Sequence, residues 1–135
     1  MKHWLFMVFV GFMLAACGEP PPYSNLDNAG LKQILSQQVA LVDVRRPEEW
    51  RETGVVEGSQ KMTFVDESGR LVPNFLQDFQ RRYAKDQPVA LICRTGNRTD
   101  VLARHLIKEM GYTQVYNVRD GIMGWLADDQ PVVRP

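Results

Sequence analysis

Thiols and imidazoles are scarce in this 135-residue chain: two cysteines, Cys17 and Cys93, and two histidines, His3 and His105. So few thiols cannot form a disulfide framework. Net charge is also absent, with 16 basic residues against 16 acidic ones. With it goes the basic footprint by which nucleic-acid binders hold phosphate, so no nucleic-acid partner is expected. Repeats, low-complexity tracts and a second domain boundary are missing too, and the length suits one domain with a real core. The one long hydrophobic run, Trp4 to Ala16, is shorter than the roughly 20 residues a membrane-spanning helix needs. What remains is a 44% apolar chain, the composition of a globular protein and not of a disordered one.

The apolar run follows a basic start and ends in small residues, the pattern of a signal-peptide core. Its "LAAC", Leu14 to Cys17, resembles the lipobox of bacterial lipoproteins. That resemblance implies cleavage before Cys17 and lipid on Cys17 as the new N-terminus; an ordinary secretory signal cleaved nearby is the alternative. Residues 1–16 are therefore expected to be signal, 17–25 the lipidated cysteine and a stiff, extended Pro-rich spacer, and 26–135 the folded domain. The expected location is outside the cytoplasm, anchored to a bacterial membrane by the lipid. In a two-membrane cell this is the periplasmic side, and Gly18 after the cysteine leans towards the outer membrane. With Cys17 acylated, Cys93 is the one thiol left in an oxidising compartment, with no partner for an internal disulfide. Such a thiol is either buried or chemically employed, and a thiol-reducing protein partner is one way to keep it free.

Beyond the leader the text alternates. "LDNAGLKQILSQ" has Leu26, Leu31, Ile34 and Leu35 at helical spacing; "VALVDV" reads as a buried strand; "RPEEWRETG" is a brief helix from Pro47 to its stop at Gly54. "SQKMTFV" is a weaker strand, and "VPNFLQDFQRRYAK" puts Phe75, Leu76, Phe79 and Tyr83 on one helical face. "PVALIC" is the clearest buried strand. "RTDVLARHLIKEMG" is a helix with Val101, Leu102, His105, Leu106 and Met110 periodic, "TQVYNV" a last strand and "DGIMGWLAD" a short last helix. The tail "DQPVVRP" is expected to be loose. The alternation predicts an α/β domain, a mainly parallel sheet covered by helices on both faces. Ligands of such sheets bind beyond the carboxyl ends of the strands, where Cys93 falls.

The loop "CRTGNR", Cys93 to Arg98, leads into a helix. A backbone curl there aims N–H groups at one point, and the helix N-terminus adds partial positive charge. A sulfur at that point is stabilised as thiolate. Gly96 permits the tight turn, and Arg94 and Arg98 bring charge for an incoming anion. The common histidine base is not at hand: His3 lies in the leader, and His105 sits two turns into the helix, where it reads as packed or half-buried. Activation falls to backbone and arginine electrostatics, which suits attack on an already reactive sulfur. The plain alternative is a buried structural thiol with solvated loop charges.

Four motifs, in order, carry a resemblance over about Leu26 to Trp125. "LVDVRRPEEW", "GVVEGS", "CRTGNRT" and "GYTQVYNVRDGIMGW" resemble the strand-and-turn signature, the second turn, the active-site loop and the closing segment of single-domain rhodaneses, a sulfurtransferase family. The resemblance implies the rhodanese-like three-layer α/β fold and a persulfide carried on Cys93. It implies a small anionic sulfur donor such as thiosulfate, an acceptor that is cyanide or a thiol, and no metal or organic cofactor. By position, the amides of Arg94, Thr95, Gly96, Asn97 and Arg98 hold the persulfide, and Arg94 and Arg98 bind the donor's anionic end. Asp43 and Arg45 shape the rim or fix the loop; a structural ion pair is the other reading of those two. Val55 stands where the family has His, and Ser59 and Lys61 where it has Ala and Asn.

Two rivals share these features. Cysteine phosphatases and arsenate reductases also hold oxyanions in a Cys-to-Arg loop, but phosphatases place five residues between the two, and here there are four. A catalytically silent rhodanese-like module, binding a partner, carrying sulfur or sensing redox state, keeps the fold without the turnover.

Overall fold

The computed structural model describes residues 18–135. Residues 1–17, with the expectations of a signal peptide, cleavage and lipidation that rest on them, lie outside the described residues.

Five parallel strands form one sheet, β1 (Ser24–Leu26), β2 (Ala40–Asp43), β3 (Gln60–Lys61), β4 (Val89–Ile92) and β5 (Val115–Val118), in the order β1-β5-β4-β2-β3. The helices are α1 (Asn28–Ser36), α2 (Pro47–Thr53), α3 (Phe75–Arg82), α4 (Asn97–Lys108) and α5 (Gly121–Ala127). The apolar run of β4 is buried at every position because this strand is central, with neighbours on both edges and helices on both faces. β3 reads weakly in the sequence for the opposite reason: it is an exposed two-residue edge.

Side chains alternate across the sheet and divide the core in two. Val42, Val89 and Leu91 meet Phe75 and Phe79 of α3 and Leu102 and Leu106 of α4. Leu41, Ala90 and Ile92 meet Leu31 and Ile34 of α1 and Ile122 and Trp125 of α5. This is the three-layer arrangement the alternation of elements predicts. α1 begins where Asp27 accepts the Gly30 N–H at 2.7 Å, the cap its sequence offers.

Two expectations give way. The Pro-rich spacer is expected to run to residue 25, yet Ser24 already opens β1, which pairs with β5 through Leu26. A three-residue strand whose one apolar and buried residue is Leu26 carries too little pattern to separate from the helix that follows. The tail is not loose either. Val55 and Val133 exchange backbone hydrogen bonds of 2.9 and 2.8 Å, and the Trp125 indole donates to the Pro131 carbonyl at 2.8 Å. Backbone pairing of this kind leaves no trace in hydropathy.

Candidate active site

Cys93 directly follows β4, at the carboxyl end of the central strand. Alternation turns it to the same face as Val89 and Leu91, towards α3 and α4. It is 1% exposed, so the sulfur lies beneath its loop. Gly96 turns the loop at φ +93°, and a Cβ there would collide with the Arg119 carbonyl oxygen. No other residue fits.

The closing segment fastens the curl. Ile122 N–H donates to the Cys93 carbonyl at 2.9 Å and Met123 N–H to the Arg94 carbonyl at 3.1 Å. Gly121 lies so close to the Arg94 backbone that a side chain would strike it. The start of α5 thus takes up the loop's first two carbonyls. The loop's amides are left otherwise. Gly96 N–H donates to Cys93 Sγ at 3.2 Å, while those of Arg94, Thr95, Asn97 and Arg98 meet no acceptor among the described residues. Of the five amides expected to hold the persulfide, that of Gly96 donates to Sγ itself, and the other four are open to a group beyond it. These amides sit where the α4 N-terminus adds partial positive charge.

Two residues beside the sulfur stand outside the sequence expectation. Thr99 Oγ1 lies 3.3 Å from Sγ and donates to Asn117 Oδ1 at 2.6 Å; Asn117 Nδ2 donates to the Gly96 carbonyl at 3.3 Å. All are buried. The available signal was a lone amide inside the apolar strand "VYNV".

The arginines take different parts. Arg94 is exposed and makes no ion pair among the described residues. Thr95 and Asn97 are exposed beside it. Arg98 corrects its expected role as an anion ligand: both its terminal nitrogens donate to Glu49, at 2.7 and 2.8 Å. Burial pushes the Glu49 carboxyl up, but the Arg98 guanidinium and the Arg46 amide more than offset it and hold it at about 2. Glu49 in turn keeps Arg98 more firmly protonated, with Cys93 and Asp43 adding smaller pulls. Glu49, from α2, is a site residue the motif "PEEW" contains without distinguishing. Asp100, in the first turn of α4, is held below the usual range by the Tyr23 hydroxyl and by Arg104 at 2.9 Å, although burial opposes this.

Asp43 and Arg45 are not a substrate rim. Both are fully buried and paired at 2.9 Å. Arg45 also donates to the Thr53 hydroxyl and to the carbonyls of Glu49 and Gly54, and Trp50 donates to Asp43. Every donor is engaged inside the protein, so the pair fastens α2 to the end of β2 and touches no solvent-borne ligand. His105 is also corrected: it is exposed, as is Val101 at 60%. The two line an apolar groove of about 430 Å³ with Phe64, Leu71, Leu76 and Arg98. Among the described residues no group of three or more His, Cys, Asp or Glu is arranged to hold a metal ion.

Comparisons with known proteins bear on the family and the fold. Residues 27–128 match the family model described as a rhodanese-like domain. A sulfurtransferase of Allochromatium vinosum is 29% identical over 114 residues, covering 83% of this chain and 96% of that one. A thiosulfate sulfurtransferase (GlpE) of Tolumonas auensis is 30% identical over 97 residues, covering 72% and 79%. The crystal structure of Rv0390 from M. tuberculosis superposes with a TM-score of 0.69 at 28% identity, over 84% of this chain and 99% of that one.

Proposed function

Because the chain belongs to the rhodanese-like domain family, with sulfurtransferases among its relatives, we propose that it transfers sulfane sulfur from thiosulfate or a similar anionic donor to a thiol or to cyanide. The observation that carries this is the loop itself: a cysteine at the end of the central strand, one amide on its sulfur, and four more amides without an acceptor among the described residues.

The step is a displacement at sulfur. The Cys93 thiolate attacks the outer sulfur of thiosulfate; the Sγ–S bond forms as the bond to the sulfonate sulfur breaks, and sulfite leaves with the electron pair. The negative charge moves from Sγ to the outer sulfur, the atom placed to meet the open amides of Arg94, Thr95, Asn97 and Arg98. Cyanide or a thiolate then attacks that outer sulfur, and Sγ leaves as thiolate. Neither step needs a metal, a histidine or an oxidant. Arg94, exposed and in no ion pair among the described residues, is the loop cation that draws the dianionic donor in. The groove beside Arg98 gives room for the apolar body of a thiol acceptor.

A phosphatase reading is weaker. It needs the loop arginine to clamp an oxyanion, and Arg98 is already bound through both terminal nitrogens to Glu49. The membrane anchor through Cys17 and a reducing partner outside the cytoplasm belong to the same proposal, supported by "LAAC" and by Cys93 being the only other thiol. A cyanolysis assay decides among the readings. Thiosulfate with cyanide should release sulfite, Cys93→Ser should abolish that release, and phenyl phosphate should stay intact. Hydrolysis of phenyl phosphate, or no sulfite release from folded native protein, would reject the reading.

A further inference from the structure

The chain of hydrogen bonds behind Cys93 has a direction fixed by counting protons. The Asn117 amide nitrogen faces the Gly96 carbonyl, which only accepts, so its oxygen must be the atom facing Thr99. That oxygen also only accepts. The single hydroxyl proton of Thr99 is therefore committed to Asn117, at 2.6 Å, and Thr99 Oγ1 can meet Cys93 Sγ only as an acceptor of an S–H, at 3.3 Å. A thiolate has no proton to offer. For Thr99 to donate to it, the hydroxyl must turn away from Asn117 and leave a buried carbonyl oxygen without a donor, which is unfavourable.

We propose that Asn117 is a positioning residue which, by holding the Thr99 proton, denies it to the Cys93 sulfur and so favours the persulfide over the bare thiolate. The persulfide has its charge on the outer sulfur, towards the loop amides, and its inner sulfur asks nothing of Thr99. The network is therefore satisfied in the thiol and in the persulfide and mismatched only in the thiolate, which is kept reactive. Its meaning for turnover rests on the sulfurtransferase reading; its effect on the thiol does not.

Other charges around the sulfur are balanced in pairs. Arg98 of α4 is bound by Glu49 of α2, Asp43 at the end of β2 by Arg45, and Asp100 of α4 by Arg104 and by Tyr23, which precedes β1. Arg94 is exposed, and Arg119, after β5, pairs with Asp120. A change at position 117 removes none of these charged pairs. It does remove the contact of Asn117 with the Tyr23 hydroxyl, which burial and Asp100 hold above the ordinary phenol value. The Thr99→Val background separates that contact from the one to the sulfur.

The test is the pH profile of Cys93 alkylation by iodoacetamide in native protein, Asn117→Ala, Thr99→Val and the double variant. Asn117→Ala frees the hydroxyl to donate to the thiolate, so its profile should move to lower pH by about half to one unit, the size of one hydrogen bond. The same change made on Thr99→Val should move nothing. No shift in Asn117→Ala, or a shift that persists without the Thr99 hydroxyl, would overturn the proposal and reduce Asn117 to a support for Gly96. Should Asn117→Ala fail to fold, Asn117→Asp decides. It keeps the acceptor and adds negative charge, so its profile should move to higher pH, and a move to lower pH would overturn the proposal. A separate arm is run at a pH above the native alkylation midpoint, so that the sulfur-free enzyme is thiolate. It measures the fraction of Cys93 carrying persulfide in a fixed thiosulfate and sulfite mixture, which should fall severalfold in Asn117→Ala. No persulfide in any variant would reject the sulfurtransferase reading while the alkylation result still judges Asn117, and an unchanged fraction would overturn the proposal.

Discussion

At the scale of single residues, the two loop arginines have opposite jobs although six letters of sequence show them as equals. Arg94 projects into solvent, and Arg98 is held against α2 by Glu49. Replacing Arg94 by Ala should raise KM for thiosulfate by roughly three- to tenfold with the melting temperature unchanged, and added salt should shrink that difference by screening the steering charge. Replacing Arg98 by Ala should leave a buried carboxylate unpaired and lower stability by about 2–3 kcal/mol, read by urea unfolding. An Arg94→Ala KM equal to native at low salt would remove its steering role. At this scale the sequence shows the candidate thiol and its loop, because Cys93 ends the clearest buried run and Gly96 breaks the chain behind it. It does not show Thr99, Asn117 or Glu49 as site residues, because their roles come from contacts across 18 and 49 positions.

At the scale of elements, α2 is joined to the Cys93 loop by a titratable contact. Glu49 titrates at about 2 in the folded chain against an ordinary 4.5. A lowered carboxyl contributes stability that is fully present above the ordinary value and is lost as pH falls through the folded one. Glu49→Gln should therefore cost about 2–3 kcal/mol at neutral pH, with the gap between variant and native closing as pH is lowered from about 4.5 towards 2. Urea midpoints across that range check it, and a gap independent of pH would mean the loss comes from packing. The helices themselves were legible, since α1, α3 and α4 each bury a periodic stripe and α2 carries Pro47 at its start. Val101 and His105 mislead because α4 turns that flank to the groove, and periodicity alone does not say which side of a stripe the sheet covers.

At the scale of the whole molecule, the parallel sheet delivers its central strand's end to one surface, and the chain closes over it from far away. The tail beyond α5 pairs with Val55, beside the turn that Arg45 and Gly54 hold. Removing residues 131–135 deletes that pairing, the Trp125 contact to Pro131 and the packing of Val132. The melting temperature should fall by about 5 °C, seen by calorimetry, while the sulfur-transfer rate at low temperature is retained because no loop residue is touched. Fold class and the order of strands and helices could be read from hydropathy periods. β1 and the tail could not, because short backbone pairings at a sheet's margin carry no such period.

Sulfur transfer by this chain requires that Cys93 take up a sulfane sulfur whose charge the open loop amides receive. Intact mass and peptide mapping of the native protein after exposure to thiosulfate measure it directly. One added sulfur atom is expected on the peptide bearing Cys93, removed by cyanide and absent from Cys93→Ser. A folded native protein that gains no sulfur there, or gains it equally without the Cys93 thiol, would contradict it.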